Sequence, residues 1–256
     1  MSSPGFVISH PPIVEAVLDI ECDLPITQEL GELEQPALEL FRDNYPNVQR
    51  QFVQQYELRA TAGAPPDVSS HAGRPRIAAL QFFQEDRKQL VQVRTQGFSF
   101  NRLAPYGSFD QYSEEIKHRW EQYRSITKPV QVIGIKLRYI NRILVPAQNG
   151  CVELDDYFQI SPRVPGEKEM TLTGFLQQYE AVDKKSGYRI NLVLTPQRLE
   201  GDKLPVIFDN GVFADEKGDA KDWGWIMGTI QSLREQKNNI FRRSLTEKCL
   251  TLFQSP

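Results

Sequence analysis

The sequence predicts an α+β protein: a largely antiparallel sheet packed by a few long helices. Three observations carry that expectation. Residues 130–145 alternate for longer than most strands do. Ile133, Ile135, Leu137, Tyr139, Asn141 and Ile143 fall on one side, and Val132, Gly134, Lys136, Arg138, Ile140, Arg142 and Leu144 on the other. Two further pairs of alternating runs, 76–83 with 90–95 and 170–182 with 188–195, close around polar turns and read as hairpins. Between them lie stretches with apolar residues at three- and four-residue spacing, the mark of amphipathic helices. Long antiparallel strands with few helices define the α+β class.

Taken in order, Ile13–Asp23 alternates between Pro11-Pro12 and Pro25 and sets Glu15, Asp19 and Glu21 on one wet face. Leu30, Leu33, Ala37, Leu40, Phe41 and Tyr45 predict a helix, with a break expected at Pro36. Residues 51–61 alternate again, and 62–75, rich in Pro, Gly, Ser and Ala, read as a flexible loop. In 97–103, Phe98, Phe100 and Arg102 share one strand face and Ser99, Asn101 and Leu103 the other; Pro105 ends the strand. Ser108 and Gln111 form a capping box for a helix whose face is Phe109, Tyr112, Ile116, Trp120 and Tyr123, and Pro129 stops it. Core packing is the plain reading of that aromatic face.

The strand that follows would span about 50 Å at roughly 3.3 Å per residue, so a bulge is expected near Ile140–Asn141. Gln148-Asn149-Gly150 is a turn, 154–158 a single helical turn and 161–168 a loop. Residues 206–213 form a strand interrupted by Asp209-Asn210-Gly211, read as a tight turn. The last long helix spans 220–237, with Trp223, Ile226, Met227, Ile230 and Leu233 as its stripe, and a second capping box at Ser244–Glu247 opens a terminal helix. The order strand, helix, three strands, helix describes both 12–126 and 130–253. The expectation is therefore one domain over 1–256, built from two βαβββα-like halves.

Composition narrows the function classes. A chain of 256 residues buries enough surface to need no metal or disulfide staple. Its net charge of −3 argues against a dedicated nucleic-acid binder, though a local basic patch is compatible with it. Three well-separated cysteines without a CxxC pair fit reduced thiols, no run approaches a membrane span, and Met1–His10 lacks the pattern of a secretory signal; a cytoplasmic location is expected. His10, His71 and His118 have no ligand-spaced partners, and no Walker, G-x-G-x-x-G or G-x-S-x-G motif occurs, so neither cofactor nor metal is implied and no catalytic residue is assigned. Asp155-Asp156 reads as a helix start, with a metal-binding pair as the alternative.

The strand polar residues remain. Asn101, Arg102, Arg138, Asn141 and Arg142 sit in otherwise apolar segments, with Tyr106 nearby, and define the candidate ligand- or partner-binding set. Arginine suits a carboxylate or phosphate because its planar fork bonds two oxygens at once. The alternative is that these arginines pair internally with Glu15, Asp19, Glu57 or other acids of the sheet face and that Asn141 satisfies a bulge.

The segments P-P-I-V-E-A-V at 11–17, G-F-S-F-N-R-L-A-P-Y at 97–106, L-R-Y-I-N-R-I at 137–143, D-Y-F at 156–158 and I-F-R-R-S-L-T at 240–246 resemble a sporadically distributed bacterial family of about this length whose function is uncharacterised. The resemblance spans nearly the whole chain. Patchy occurrence implies horizontally mobile, defence-like or toxin–antitoxin-like loci, and it brings no catalytic residues with it. Two function classes follow. One is a non-enzymatic accessory protein that binds a protein partner, a second copy of itself or a small anion. The other is an enzyme or toxin acting on a nucleotide or phosphorylated substrate through an arginine-lined pocket.

Overall fold

The computed structural model describes residues 8–25, 30–53, 75–163 and 172–254. Its strands are β1 (Ile13–Asp23), β2 (Asn47–Val53), β3 (Arg76–Phe83), β4 (Gln89–Arg94), β5 (Gly97–Leu103), β6 (Gln131–Pro146), β7 (Gln177–Val182), β8 (Arg189–Pro196) and β9 (Lys203–Ala214). The helices are α1 (Leu30–Phe41), α2 (Ser113–Thr127), α3 (Trp223–Ser244) and α4 (Glu247–Thr251), with 3-10 turns at Phe109–Gln111 and Leu154–Asp156. The strands form one antiparallel sheet in the order β2-β3-β4-β5-β1-β6-β9-β8-β7. The α+β reading of the sequence is correct.

The helices all lie on one face. Phe41 of α1 packs on Phe82, Trp120 of α2 on Phe98, and Phe241 of α3 on Phe208 and Phe253. Alternation dictates which residues go beneath them. Ala16, Leu18, Ile20 and Cys22 of β1 and Ile135, Leu137, Tyr139, Asn141 and Ile143 of β6 are buried on the helix side. A second cluster, including Val145, Phe158, Val206, Phe208, Leu250 and Phe253, sits under α4 and the end of α3. Among the described residues no helix covers the other face, and none is long and apolar enough to cross a membrane.

β1 and β6 are the central pair, with Val17 opposite Arg138. The expected irregularity does fall at Ile140–Asn141, but the extra residue is Val14 of β1. Ile13 pairs with Asn141 and Glu15 with Ile140, while β6 runs unbroken along β9. At Gly97, with φ of +137°, β5 approaches β1 so closely that a Cβ would drive into the carbonyl oxygen of Ile20.

Several element boundaries differ from expectation, each for a physical reason. α1 continues through Pro36, whose missing N–H removes one helical bond without ending the helix. β2 starts at Asn47, directly after Pro46; the rest of the expected 51–61 strand and the 62–74 loop lie outside the described residues, as does 164–171. β7 covers only the end of the expected 170–182 arm. The Ser108–Gln111 contact, a 3.3 Å bond from the Ser108 N–H, caps a 3-10 turn, and α2 starts afterwards. α4 is capped by Thr246, whose hydroxyl accepts from the Cys249 N–H at 3.1 Å, two residues later than expected. α3 runs seven residues past Lys237, to Ser244. Asp209-Asn210-Gly211 is not a turn: all three lie within β9, paired to both β6 and β8. Outward from the centre the strand order is β1-β5-β4-β3-β2 on one side and β6-β9-β8-β7 on the other, so four strands follow α1 where three were expected.

Candidate functional site

The six residues singled out by sequence do not converge. Neighbouring residues on a strand point to opposite faces, so Asn101 and Arg102 on β5, like Asn141 and Arg142 on β6, are separated by the sheet. Asn101, Arg138 and Arg142 lie on the helix-free face. Arg102, Tyr106 and Asn141 lie on the helix side.

On the helix-free face the cations of β4, β6 and β8 already have partners. The Arg138 Nε donates to both Asp209 oxygens at 2.8 Å, and its Nη2 completes the pair. Asp209 holds the Arg138 pKa above its ordinary value. Lys136 pairs with Glu21, and Arg94 with Asp19 at 3.2 Å. Ser99 donates to Asp19, and Asn101 donates to Glu15 at 2.7 Å. Arg142 bonds Glu200 at 2.6 Å and Gln197 at 3.0 Å. On β8, Arg189 pairs with Asp215, holding that carboxyl below the usual carboxylate range, and lies over the Phe213 ring. Internal pairing of the kind set out as the alternative is thus present for Arg138 and Arg142, with Asp209 and Glu200 as the acids, while Arg102 makes no ion pair among the described residues. The Arg138 side chain stays 48% exposed despite its two-oxygen bond. Gly211 leaves the adjoining position on β9 without a side chain; a Cβ there would press on the Phe213 ring at 2.9 Å.

The helix side holds a different polar group. The Tyr106 and Tyr139 hydroxyls are 2.8 Å apart, and burial pushes both upward in pKa. Arg102 stacks on Tyr112 with its guanidinium carbon 5.1 Å from the ring centre, and its buried Nε has no hydrogen-bond partner. These residues line a cavity of about 20 Å³, room for a single water. Asn141 donates to the carbonyl of Phe208 at 2.9 Å, tying β6 to β9.

Sequence reasoning missed Lys237. It is 8% exposed, and its Nζ stands 3.6 Å from the centre of the Tyr139 ring. Burial, assisted by the neighbouring charge of Arg234, pulls its pKa down to about 7. Among the described residues it makes no ion pair. Its carbonyl accepts from Asn210 at 3.0 Å, while the Asn210 Oδ1 is buried without a partner. A signal for it existed: Ile226, Ile230, Leu233 and Lys237 follow helical spacing, so Lys237 extends the apolar stripe.

The cysteines offer no ready nucleophile in the core. Burial raises the Cys22 and Cys249 thiols to about 12, and Cys151 sits exposed at the Gln148–Cys151 turn. No family model matches the chain, and no curated protein matches it significantly.

Proposed function

We propose that this chain is a non-enzymatic, cytoplasmic accessory protein that binds a protein partner through the helix-free face of its central strands. The observation that carries the reading is Arg138. Asp209 fixes its guanidinium through two oxygens, yet about half of the side chain faces water. A cation held in one geometry loses little entropy on association, and a plane of alternating charges confers partner choice and encounter rate. Arg94, Asp19, Glu21, Lys136, Arg138 and Asp209 come from β4, β1, β6 and β9, within the run of five strands from β4 through β5 to β9, and present such a plane.

A phosphate clamp requires free cations gathered in a cavity. The strand arginines are divided between two faces, and the cavity that Arg102 lines has room for one water. That weighs against the nucleotide-directed enzyme.

The family resemblance is part of the proposal, with a bacterial, mobile and defence-like or toxin–antitoxin-like setting. Its motifs support it by where they fall. Residues 11–17, 97–106 and 137–143 supply the three adjacent strands β1, β5 and β6. Residues 156–158 and 240–246 meet at a second junction, where Phe158 bridges Leu245 and the Thr246 N–H donates to the Tyr157 carbonyl at 3.0 Å. Internal duplication is proposed on the strand order alone.

Co-expression with the products of its neighbouring genes, followed by light scattering on the eluted material, tests the reading. The expected result is a stoichiometric heterocomplex. A chain that elutes as a free monomer with every neighbour removes the proposal.

A further inference from the structure

The two edges of the sheet are built differently. β2 carries Arg50, which Glu34 of α1 holds at 3.0 Å through Nε, and its register with β3 shifts between Gln51 and Phe52. Charge and irregularity are the usual devices that keep an edge from pairing with another chain. β7 has neither. Its register with β8 is unbroken, and Gln177–Val182 contains no proline, lysine or arginine. Every residue from Gln178 to Val182 is exposed. Leu176, Val182 and Tyr179 are 73%, 61% and 41% exposed.

The outward hydrogen-bonding groups can be assigned. Asp183 donates its N–H to the Tyr188 carbonyl at 2.9 Å, so residues 177, 179 and 181 hold the bonded positions facing β8. The backbone N–H and C=O groups of Gln178, Glu180 and Val182 therefore point away from the sheet. That set is centred on Glu180, the one ionised side chain of the strand.

We infer that β7 accepts an extended segment of a different protein as a tenth strand, one carrying Lys or Arg opposite Glu180 and apolar residues beside Tyr179 and Ala181. Backbone bonds supply the affinity and alternate side chains the selectivity. A second copy fits poorly, because a two-fold antiparallel pairing about the same centre sets Glu180 against Glu180. The inference takes its biological sense from the protein-binding reading but uses another surface.

The test uses the full chain and two end-blocked, labelled heptapeptides, Val-Thr-Val-Lys-Val-Thr-Val and the same peptide with Glu at its centre. The Lys peptide binds about fivefold tighter by fluorescence anisotropy. It slows amide exchange at Gln178, Glu180 and Val182. Glu180→Lys reverses the preference. Glu180→Pro abolishes binding of both peptides, because it removes one outward N–H and leaves the bonds to β8 intact. Equal binding of the two peptides, no binding, or undiminished binding by Glu180→Pro overturns the inference. So does a concentration-dependent dimer that Glu180→Pro dissolves, which would seat a second copy on the edge. None of these outcomes touches the charged face, whose own variants lie on β6 and β9.

Discussion

Replacing Lys237 with Met should stabilise the protein at neutral pH, by several kcal/mol and at most about 5 kcal/mol. The amine lies between α3 and the sheet, over Tyr139, with Arg234 as its neighbouring charge and no carboxylate bonded to it among the described residues. Asp110, the nearby acid, is bonded instead to Arg234 at 3.0 Å. Its folded pKa of about 7 lies below the ordinary 10.5. Between those values the unfolded chain holds a proton that the folded chain has released, so stability rises with pH across that window and the penalty is complete below pH 7. Urea unfolding of the wild type between pH 7 and pH 9 should show a gain of about 1.4 kcal/mol per pH unit from this group. The Lys237→Met protein should lack that slope. Above pH 9 the buried Cys22 and Cys249, with thiols raised from 9.0 to about 12, contribute with the opposite sign, so the comparison belongs below it. An unchanged slope in the variant would show that Lys237 is solvated or paired.

Trp120→Ala should cost about 3–5 kcal/mol and lower the midpoint of thermal unfolding by about 10 °C. Trp120 is fully buried, stacks on Tyr123 with ring centres 5.3 Å apart, and meets Phe98 of β5 edge-on at 5.8 Å. Its indole N–H donates to the Ala220 carbonyl at 3.2 Å, just ahead of α3. One side chain thus joins α2, the sheet and the entry to α3. Truncation leaves both a cavity and an unpaired carbonyl. Trp120→Phe keeps most of the volume and should lose much less. Calorimetry on the two variants separates the packing contribution from the hydrogen bond; equal losses in both would assign the effect to the bond.

Much of the fold could be read from period alone. β1 occupies the expected residues 13–23, and β6 was bounded to within a residue at each end. The faces of β5 were assigned correctly as well: Phe98 and Phe100 are buried under α2, while Ser99 and Asn101 meet the acids of β1. That same alternation rules out one pocket containing both Asn101 and Arg102, a consequence that grouping residues by chemistry concealed. Asp209-Asn210-Gly211 has turn composition, but its pairing to two neighbours decides the outcome. Asp209 meets Arg138, Asn210 reaches the Lys237 carbonyl, and Gly211 makes room for the Phe213 ring. Local propensity carries no record of partners so distant in the chain. Lys237 was hidden because the helix was ended there, where a lysine looks like a solvated last-turn residue. The further seven residues of α3 place it in the middle of a buried stripe.

The most direct test of the charged face exchanges its central pair. In Arg138→Asp combined with Asp209→Arg, the internal bond is retained with its polarity reversed, so unfolding should stay within about 1 kcal/mol of the wild type. Recovery of the locus-encoded partner should nevertheless fall, on the order of tenfold or more, because the outward charges now oppose those the partner was matched to. Wild-type partner recovery by a stable exchanged protein would contradict the account and leave Arg138 and Asp209 as a pair that serves only the sheet.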